Sequence, residues 1–209
     1  MKEPANPAGS IAPTVGVAAP RTIAVDLDDT LNNFTETLRH GQFPYDRAEA
    51  LPEATFHRYL ERIQNDAPEA GDLLSTEYSF CRYKIHAHCY RMARARADGV
   101  EFMQRLQRNH WRIVICTQRD LRRANDGTRA WLKENAIPFD YLFMALNKIV
   151  FCKAWGIRHL VDDDVFNLAH GGRYGVNVYY PIMPKHQSLP EHAARGFQTF
   201  TEVERWIQE

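Results

Sequence analysis

Three carboxylates fall within four residues at Asp26, Asp28 and Asp29, directly after the apolar run Ile23-Ala24-Val25 and before Thr30-Leu31. The run reads as a buried strand of a parallel sheet, hydrophobic on both faces. The aspartates then stand at its carboxyl end, where open α/β sheets place their ligand crevice. Like charges packed there raise the folding free energy unless protons or a cation offset the repulsion. Magnesium is the natural partner, since it takes one or two carboxylates and completes its shell with water and phosphate oxygens. An acidic, solvated turn would explain an isolated Asp-x-Asp equally well, so the remaining elements decide.

Three further groups of chemical interest follow apolar runs. Trp111 to Cys116 reads as a second buried strand ending at Thr117, and Ile157 to Val161 as another, running into Asp162-Asp163-Asp164. Lys148 precedes a short helix predicted over Ile149 to Trp155, with Lys153 as a competing cation. On one sheet edge these groups can converge. A carboxylate can act as nucleophile toward phosphorus, and a second one two residues on can move protons. A hydroxyl and an ammonium can hold the phosphoryl oxygens, and a distant acidic pair can complete a metal site.

The elements that must position these residues alternate. Further strands are expected at Tyr141 to Met144 and Tyr174 to Tyr180, with helices over about Gly127 to Asn135 and Thr201 to Gln208. This is an α/β pattern, a Rossmann-like doubly wound parallel sheet. Between the first two strands the sequence is largely helical to about Asn109, punctuated by Pro44, Pro52 and Pro68, with Gly99 as a break before a last helix carrying Val100, Phe102, Met103 and Leu106. Such a block exceeds a simple crossover and is expected to form a helical cap. The expected organisation is a disordered leader over 1–20, a core over 21–31 and 99–209, and a cap over 32–98.

Composition narrows the function. The 209 residues carry 26 basic and 26 acidic side chains, so no net charge steers the chain to nucleic acid or an anionic membrane. The four cysteines, Cys81, Cys89, Cys116 and Cys152, form no CxxC pair, which suits a reducing, cytoplasmic setting. Cys81, His86, His88 and Cys89 invite a zinc reading. The spacing speaks against it, because Cys81 and His88 lack the close loop spacing of structural sites and His86 and His88 point to different sides of a helix.

The order DxDxT, strand-Thr117, Lys148, strand-Asp162-Asp163 resembles the haloacid dehalogenase superfamily of phosphatases, from Thr22 to the C-terminus. The resemblance implies that Asp26 is the nucleophile and Asp28 the general acid/base. It gives Thr117 and Lys148 as phosphate-binding residues. It also implies a magnesium site made by Asp26, the backbone carbonyl of Asp28, and Asp163 with Asp162 as its neighbour, in a register that could slip by one. The stretch from Thr117-Gln118-Arg119 through Trp131-Leu132, Ile137-Pro138-Phe139-Asp140, Asn147-Lys148 and Gly156-Ile157 to Val161-Asp162-Asp163 is similar to the 5′(3′)-deoxyribonucleotidases. Gln118 departs from the small residue expected there. The resemblance implies a (deoxy)nucleoside monophosphate substrate; by position, Arg119 just past Thr117, Gln118 beside it, and Phe34 one helical turn past the Asp26–Thr30 loop read as substrate-binding residues, Phe34 by stacking on the base. Asp164 reads as a turn or helix-capping residue.

Rival readings are a phosphatase of a sugar phosphate, of a biosynthetic intermediate or of nucleic-acid 3′-phosphate ends. A receiver-like phosphoacceptor module is the rival from another class, and the helical block speaks against it. The expected partner is a small phosphorylated molecule, with neither membrane nor nucleic acid, and a homodimer is left open.

Overall fold

A computed structural model describes residues 21–48, 50–65, 76–144, 146–187 and 194–209. The expected leader over 1–20 and Pro68 lie outside the described residues. Six strands form one parallel sheet: β1 (Thr22–Val25), β2 (Arg112–Thr117), β3 (Tyr141–Met144), β4 (His159–Val161), β5 (Asn177–Pro181) and β6 (Arg195–Phe197). Their order is β3-β2-β1-β4-β5-β6. Winding therefore reverses beside β1, which makes the carboxyl ends of β1 and β4 the walls of the ligand crevice.

Side-chain alternation divides the strands between two helical layers. Ile23, Val25, Ile113, Ile115, Val161 and Tyr179 face one core together with helices α4 (Ala97–Arg108), α5 (Leu121–Glu134) and α8 (Phe200–Trp206). Ala24, Val114, Cys116, Leu160 and Val178 face the other, covered by α6 (Lys148–Ala154) and α7 (Val165–His170). Among the described residues, three helices lie between β1 and α4: α1 (Phe34–His40), α2 (Glu53–Gln64) and α3 (Thr76–Met92). They enclose a third cluster of their own, built on Leu38, Phe56, Tyr59, Ile63, Cys81, Ile85 and Cys89.

The chain leaves and re-enters the core at one place. Asn32 pairs with Ala95 in an antiparallel bridge, Asn33 N donates to Arg94 O at 3.2 Å, and Arg96 N donates to Leu31 O at 2.8 Å.

Several boundaries differ from the sequence reading for local reasons. Helix α5 starts at Leu121 rather than near Gly127, because the Asp120 side chain caps it by accepting from Arg122 N and Arg123 N. Gly99 does not break the chain but sits buried inside α4, where an added Cβ would come within 2.9 Å of Leu31 Cδ2 and 3.1 Å of Phe200 Cε2. Its missing side chain lets α4 approach both. Gly171–Tyr174 form a 3-10 turn that delays β5 to Asn177. The edge strand β6 was not expected.

Candidate active site

The loop after β1 is curled by its own backbone: Leu27 O accepts from Leu31 N at 2.9 Å and Asn32 N at 3.1 Å. Asp29 takes the left-handed conformation that this curl requires, with φ of 59°. Asp26 N donates to Val161 O at 2.9 Å, which sets Asp26 level with Asp162 at the next strand's end. The carboxylate oxygens of Asp26, Asp162 and Asp163 lie within 4.8 Å of one another, and all three residues are buried.

Lys148 is placed among them by its helix. The Asn147 side chain caps α6 by accepting from Val150 N at 2.9 Å, making Lys148 the first helical residue. Its Nζ stands 2.9 Å from Asp26 Oδ1 and donates to Asp162 Oδ1 at 2.9 Å. Lys153, the competing cation, is exposed in the last turn of the same helix. Lys148 thus stands among these carboxylates, and Lys153 does not.

The two neighbouring aspartates have separate surroundings. Asp162 is turned inward, its oxygens accepting from Lys148, from Asp164 N at 3.1 Å and from Asn167 Nδ2 at 2.7 Å. Asp163 lines the cavity beside these residues, accepts from Thr30 Oγ1 at 3.2 Å and pairs with Lys185. His186 Nε2 lies 2.8 Å from the Asp163 carbonyl. Asp164 caps α7, as expected, by accepting from Phe166 N and Asn167 N.

Burial pushes the Asp26 carboxyl well above the usual carboxylate range. Lys148 opposes that shift, while Asp162, Asp163 and Asp28 add repulsion. Asp162 is raised for the same first reason. Burial alone would lower the Lys148 ammonium, but Asp26 and Asp162 outweigh it and hold its pKa above that of an ordinary lysine. Two ammonium groups, Lys148 and Lys185, face three close carboxylates, which when ionised leave one negative charge over. The all-oxygen donor set fits a hard divalent cation such as magnesium. Among the described residues this trio is the only His/Cys/Asp/Glu group that could hold a metal. Cys81 and Cys89 instead pack inside the third cluster, and the His88 ring packs edge-on against Phe43.

A cavity of about 610 Å³ covers these groups. Thr117, Lys148 and Asp26 form its floor, with Gln118 at the β2 side. Gln118 is exposed and donates to Leu146 O at 3.2 Å. Phe34, His86 and Tyr90 close it from the helical block, Phe34 lying 5.5 Å from Tyr90 in a stacked pair and 5.3 Å edge-on from His86. Burial, with Arg82 adding repulsion, lowers the His86 pKa to about 4. A larger cavity, about 680 Å³, lies on the far side of Tyr90 between α3 and α5 and contains none of the converging aspartates.

Arg119, expected to bind substrate, forms an ion pair with Asp28. It is buried and donates to Asp28 through Nε at 2.9 Å and Nη2 at 2.5 Å. Arg119 also lines the cavity, so the residue expected to grip substrate stands at the cavity wall paired with Asp28.

The sequence does not single out Lys185, Asn167 or Tyr90 as site residues, and it offers His86 only as a zinc candidate. Lys185 had a usable signal: it lies in the loop after β5, on the same sheet edge as the aspartates.

No family model and no curated protein matches the sequence. Solved structures do. A haloacid dehalogenase-like family hydrolase from Streptococcus pneumoniae aligns with a TM-score of 0.60 at 16% identity, over 90% of this chain and 99% of that one. A HAD-hydrolase from Bacillus subtilis, solved bound to magnesium, gives 0.58 at 12% identity, over 92% and 100%. A protein described as a predicted phosphoglycolate phosphatase from Haemophilus somnus gives 0.56 at 15% identity, over 92% and 100%. None of the three is described as a nucleotidase. No helix among the described residues is long and apolar enough to cross a membrane. The parallel six-stranded sheet, its helical layers and these alignments together give this chain the haloacid dehalogenase-like α/β fold.

Proposed function

We propose that this chain is a magnesium-dependent phosphomonoesterase that works through an aspartyl-phosphate on Asp26. The observation that carries the reading is the position of Asp26: at the switch point of the sheet, among Asp162 and Asp163, with Lys148 at 2.9 Å. Helices α1 to α3, with their separate hydrophobic cluster, serve as the cap over this site.

In the first step an Asp26 carboxylate oxygen attacks phosphorus and the bond from phosphorus to the leaving oxygen breaks. Asp28 gives that oxygen a proton. In the second, Asp28 takes a proton from water as the water oxygen attacks phosphorus. The acyl-phosphate bond breaks, and inorganic phosphate leaves with Asp26 restored. Lys148 and Thr117 hold the phosphoryl oxygens through both steps. Asp26, Asp163 and the Asp28 carbonyl would hold magnesium, which when bound offsets carboxylate repulsion and draws charge from the phosphoryl oxygens. Asp162 supports this arrangement from behind through Lys148 and Asn167.

The substrate proposed is a (deoxy)nucleoside monophosphate. The aromatic wall of Phe34, His86 and Tyr90 supports it, because such rings offer faces and edges to a flat base. A second reading is a small organic phosphate with another anionic group. Arg82 and Lys185, which bring positive charge to the same cavity, favour it, and the Haemophilus neighbour is described in those terms. The four free, buried cysteines support action in a reducing cytoplasm.

A phosphate-release screen over nucleoside monophosphates, sugar phosphates and phosphorylated carboxylic acids, with magnesium present, tests the proposal. Preference for nucleotides supports the first reading and preference for phosphorylated acids the second. Release from none of them rejects the phosphatase.

A further inference from the structure

We infer that Arg119 is the positioning residue for Asp28, fixing the direction of its carboxylate with the ring of Tyr90 closing over the guanidinium. The inference rests on the phosphatase reading above and assigns Arg119 a part in proton transfer instead of substrate binding.

Arg119 is anchored from both sides in the chain. It stands two residues beyond Thr117, the last residue of β2, and is followed at once by Asp120, which caps α5. Its side chain has no exposed surface. A buried guanidinium must find acceptors for its donors, and here they come from two residues. Nε and Nη2 form a two-pronged contact to both oxygens of Asp28, and Nη1 donates to Thr128 Oγ1 at 3.1 Å on the buried face of α5. The Tyr90 ring lies 4.1 Å from the guanidinium carbon. Asn32 Nδ2 donates to the remaining side of Asp28 Oδ1 at 3.1 Å.

A planar fork bound to a planar carboxylate fixes both the distance and the tilt of the acid, which a lysine ammonium cannot do. Lys148 already serves Asp26 and Asp162. The two buried cations thus divide the carboxylates between them, Lys148 at the phosphorus-facing group and Arg119 at the proton-moving one. Three of the five guanidinium N–H donors are taken by Asp28 and Thr128, and the fork formed by Nε and Nη2 is given wholly to Asp28. A proton donor must lie within hydrogen-bond reach of the leaving oxygen, so a loosened Asp28 loses rate before it loses affinity.

The test compares wild type with Arg119→Met, Arg119→Lys and Asp28→Asn, and with the double variant Arg119→Met/Asp28→Asn. The substrates are an alkyl phosphate, whose leaving group needs a proton, and p-nitrophenyl phosphate, whose leaving group needs it much less. In Arg119→Met, kcat on the alkyl phosphate should fall about 100-fold, within the range by which a positioned acid accelerates proton transfer. KM should stay within about threefold, since uniform binding is untouched. The aryl phosphate should lose much less, Arg119→Lys should lie between, and the double variant should be little worse than Asp28→Asn alone. Thr128→Val keeps the ion pair and removes only the Nη1 contact; it should reproduce the same leaving-group bias in weaker form.

A raised KM with kcat retained would overturn the inference in favour of a substrate grip, and so would additive losses in the double variant. Equal losses on both phosphates in Thr128→Val would also overturn it. If wild type hydrolyses neither these two phosphates nor any compound of the screen above, the phosphatase reading fails by itself. Crystal structures of wild type and Arg119→Met then decide the positioning claim alone: Asp28 should turn from its place while Asp26 and Asp163 stay. An unmoved Asp28 would reject it.

Discussion

Lys148 meets Asp26 at 2.9 Å with almost none of either side chain exposed to solvent. The pair is held in place from the far side, since the same Nζ also binds Asp162. Water is nearly absent from both groups, so each depends on the other for its charge. Removing Lys148 leaves both carboxylates without their buried cation, whereas removing Asp26 leaves Lys148 paired with Asp162.

Lys148→Met should therefore be costly in stability as well as in turnover. Loss of one partner from a buried ion pair destabilises by about 3–5 kcal/mol. Chemical denaturation without magnesium checks this, and a midpoint equal to that of wild type would show that Asp26 and Asp162 are already neutralised by other means.

Asp26→Asn should behave differently. It removes the attacking charge while keeping shape, and relieves crowding among the aspartates, so folding should survive. Turnover should drop at least about a thousandfold, the scale on which loss of a nucleophile acts. Steady-state phosphate release measures it, with circular dichroism as the control; near-wild-type release would exclude Asp26 as nucleophile.

Magnesium should raise the unfolding temperature of wild type and chelator should abolish turnover. At a magnesium concentration 100-fold above its dissociation constant, the linkage amounts to about 2.7 kcal/mol. Asp163→Asn should lose most of that gain. If Asp163→Asn retains it and Asp162→Asn does not, the ligand register is shifted by one residue.

The pH dependence of stability should carry the signature of His86. Its pKa is about 4 in the folded chain, against an ordinary value of 6.5. Between those values the unfolded chain binds a proton that the folded chain does not. Stability is thus full above about pH 6.5 and falls as pH drops toward 4, with a slope of up to about 1.4 kcal/mol per pH unit. His86→Gln should flatten this part of the profile. The difference between the two proteins isolates it from Asp26 and Asp162, whose raised carboxyls act with the opposite sign. Identical urea midpoints for the two proteins across the window would place His86 in contact with solvent.

Phe34→Ala should separate nucleotides from simple aryl phosphates. Stacking on a base is worth about 1–3 kcal/mol, so nucleotide kcat/KM should fall about 10- to 100-fold. p-Nitrophenyl phosphate turnover should be nearly unchanged. Equal losses on both would make Phe34 a packing residue for Tyr90 and His86.

The parallel core was legible because β1, β2 and β4 are apolar on both faces and end at chemically distinct residues. Asp26, Thr117 and Asp163 could be aligned on one edge from that alone. Helix α5 was read late, since its first turn, Leu121-Arg122-Arg123, shows no apolar stripe and is held by the Asp120 cap. Strand β6 is three residues long with Gly196 at its centre, too short for alternation to show. Arg119 was found as a residue but not as a partner. Its fork closes on a carboxylate 91 positions earlier, and nothing local in either segment announces the other.

The bridge between Asn32 and Ala95 has a consequence for how this architecture can vary. Its two strands of chain are tied by backbone hydrogen bonds, so the sheet meets the 34–92 excursion as though it were a tight turn. The entropy of closing that excursion is set at this waist, and it grows only as the logarithm of the enclosed length. Helices can therefore be lengthened, shortened or exchanged beyond the waist with little effect on the register of β1 against β2 and β4. Chemistry at the sheet edge and shape above it are free to diverge separately, and the waist is where they are joined.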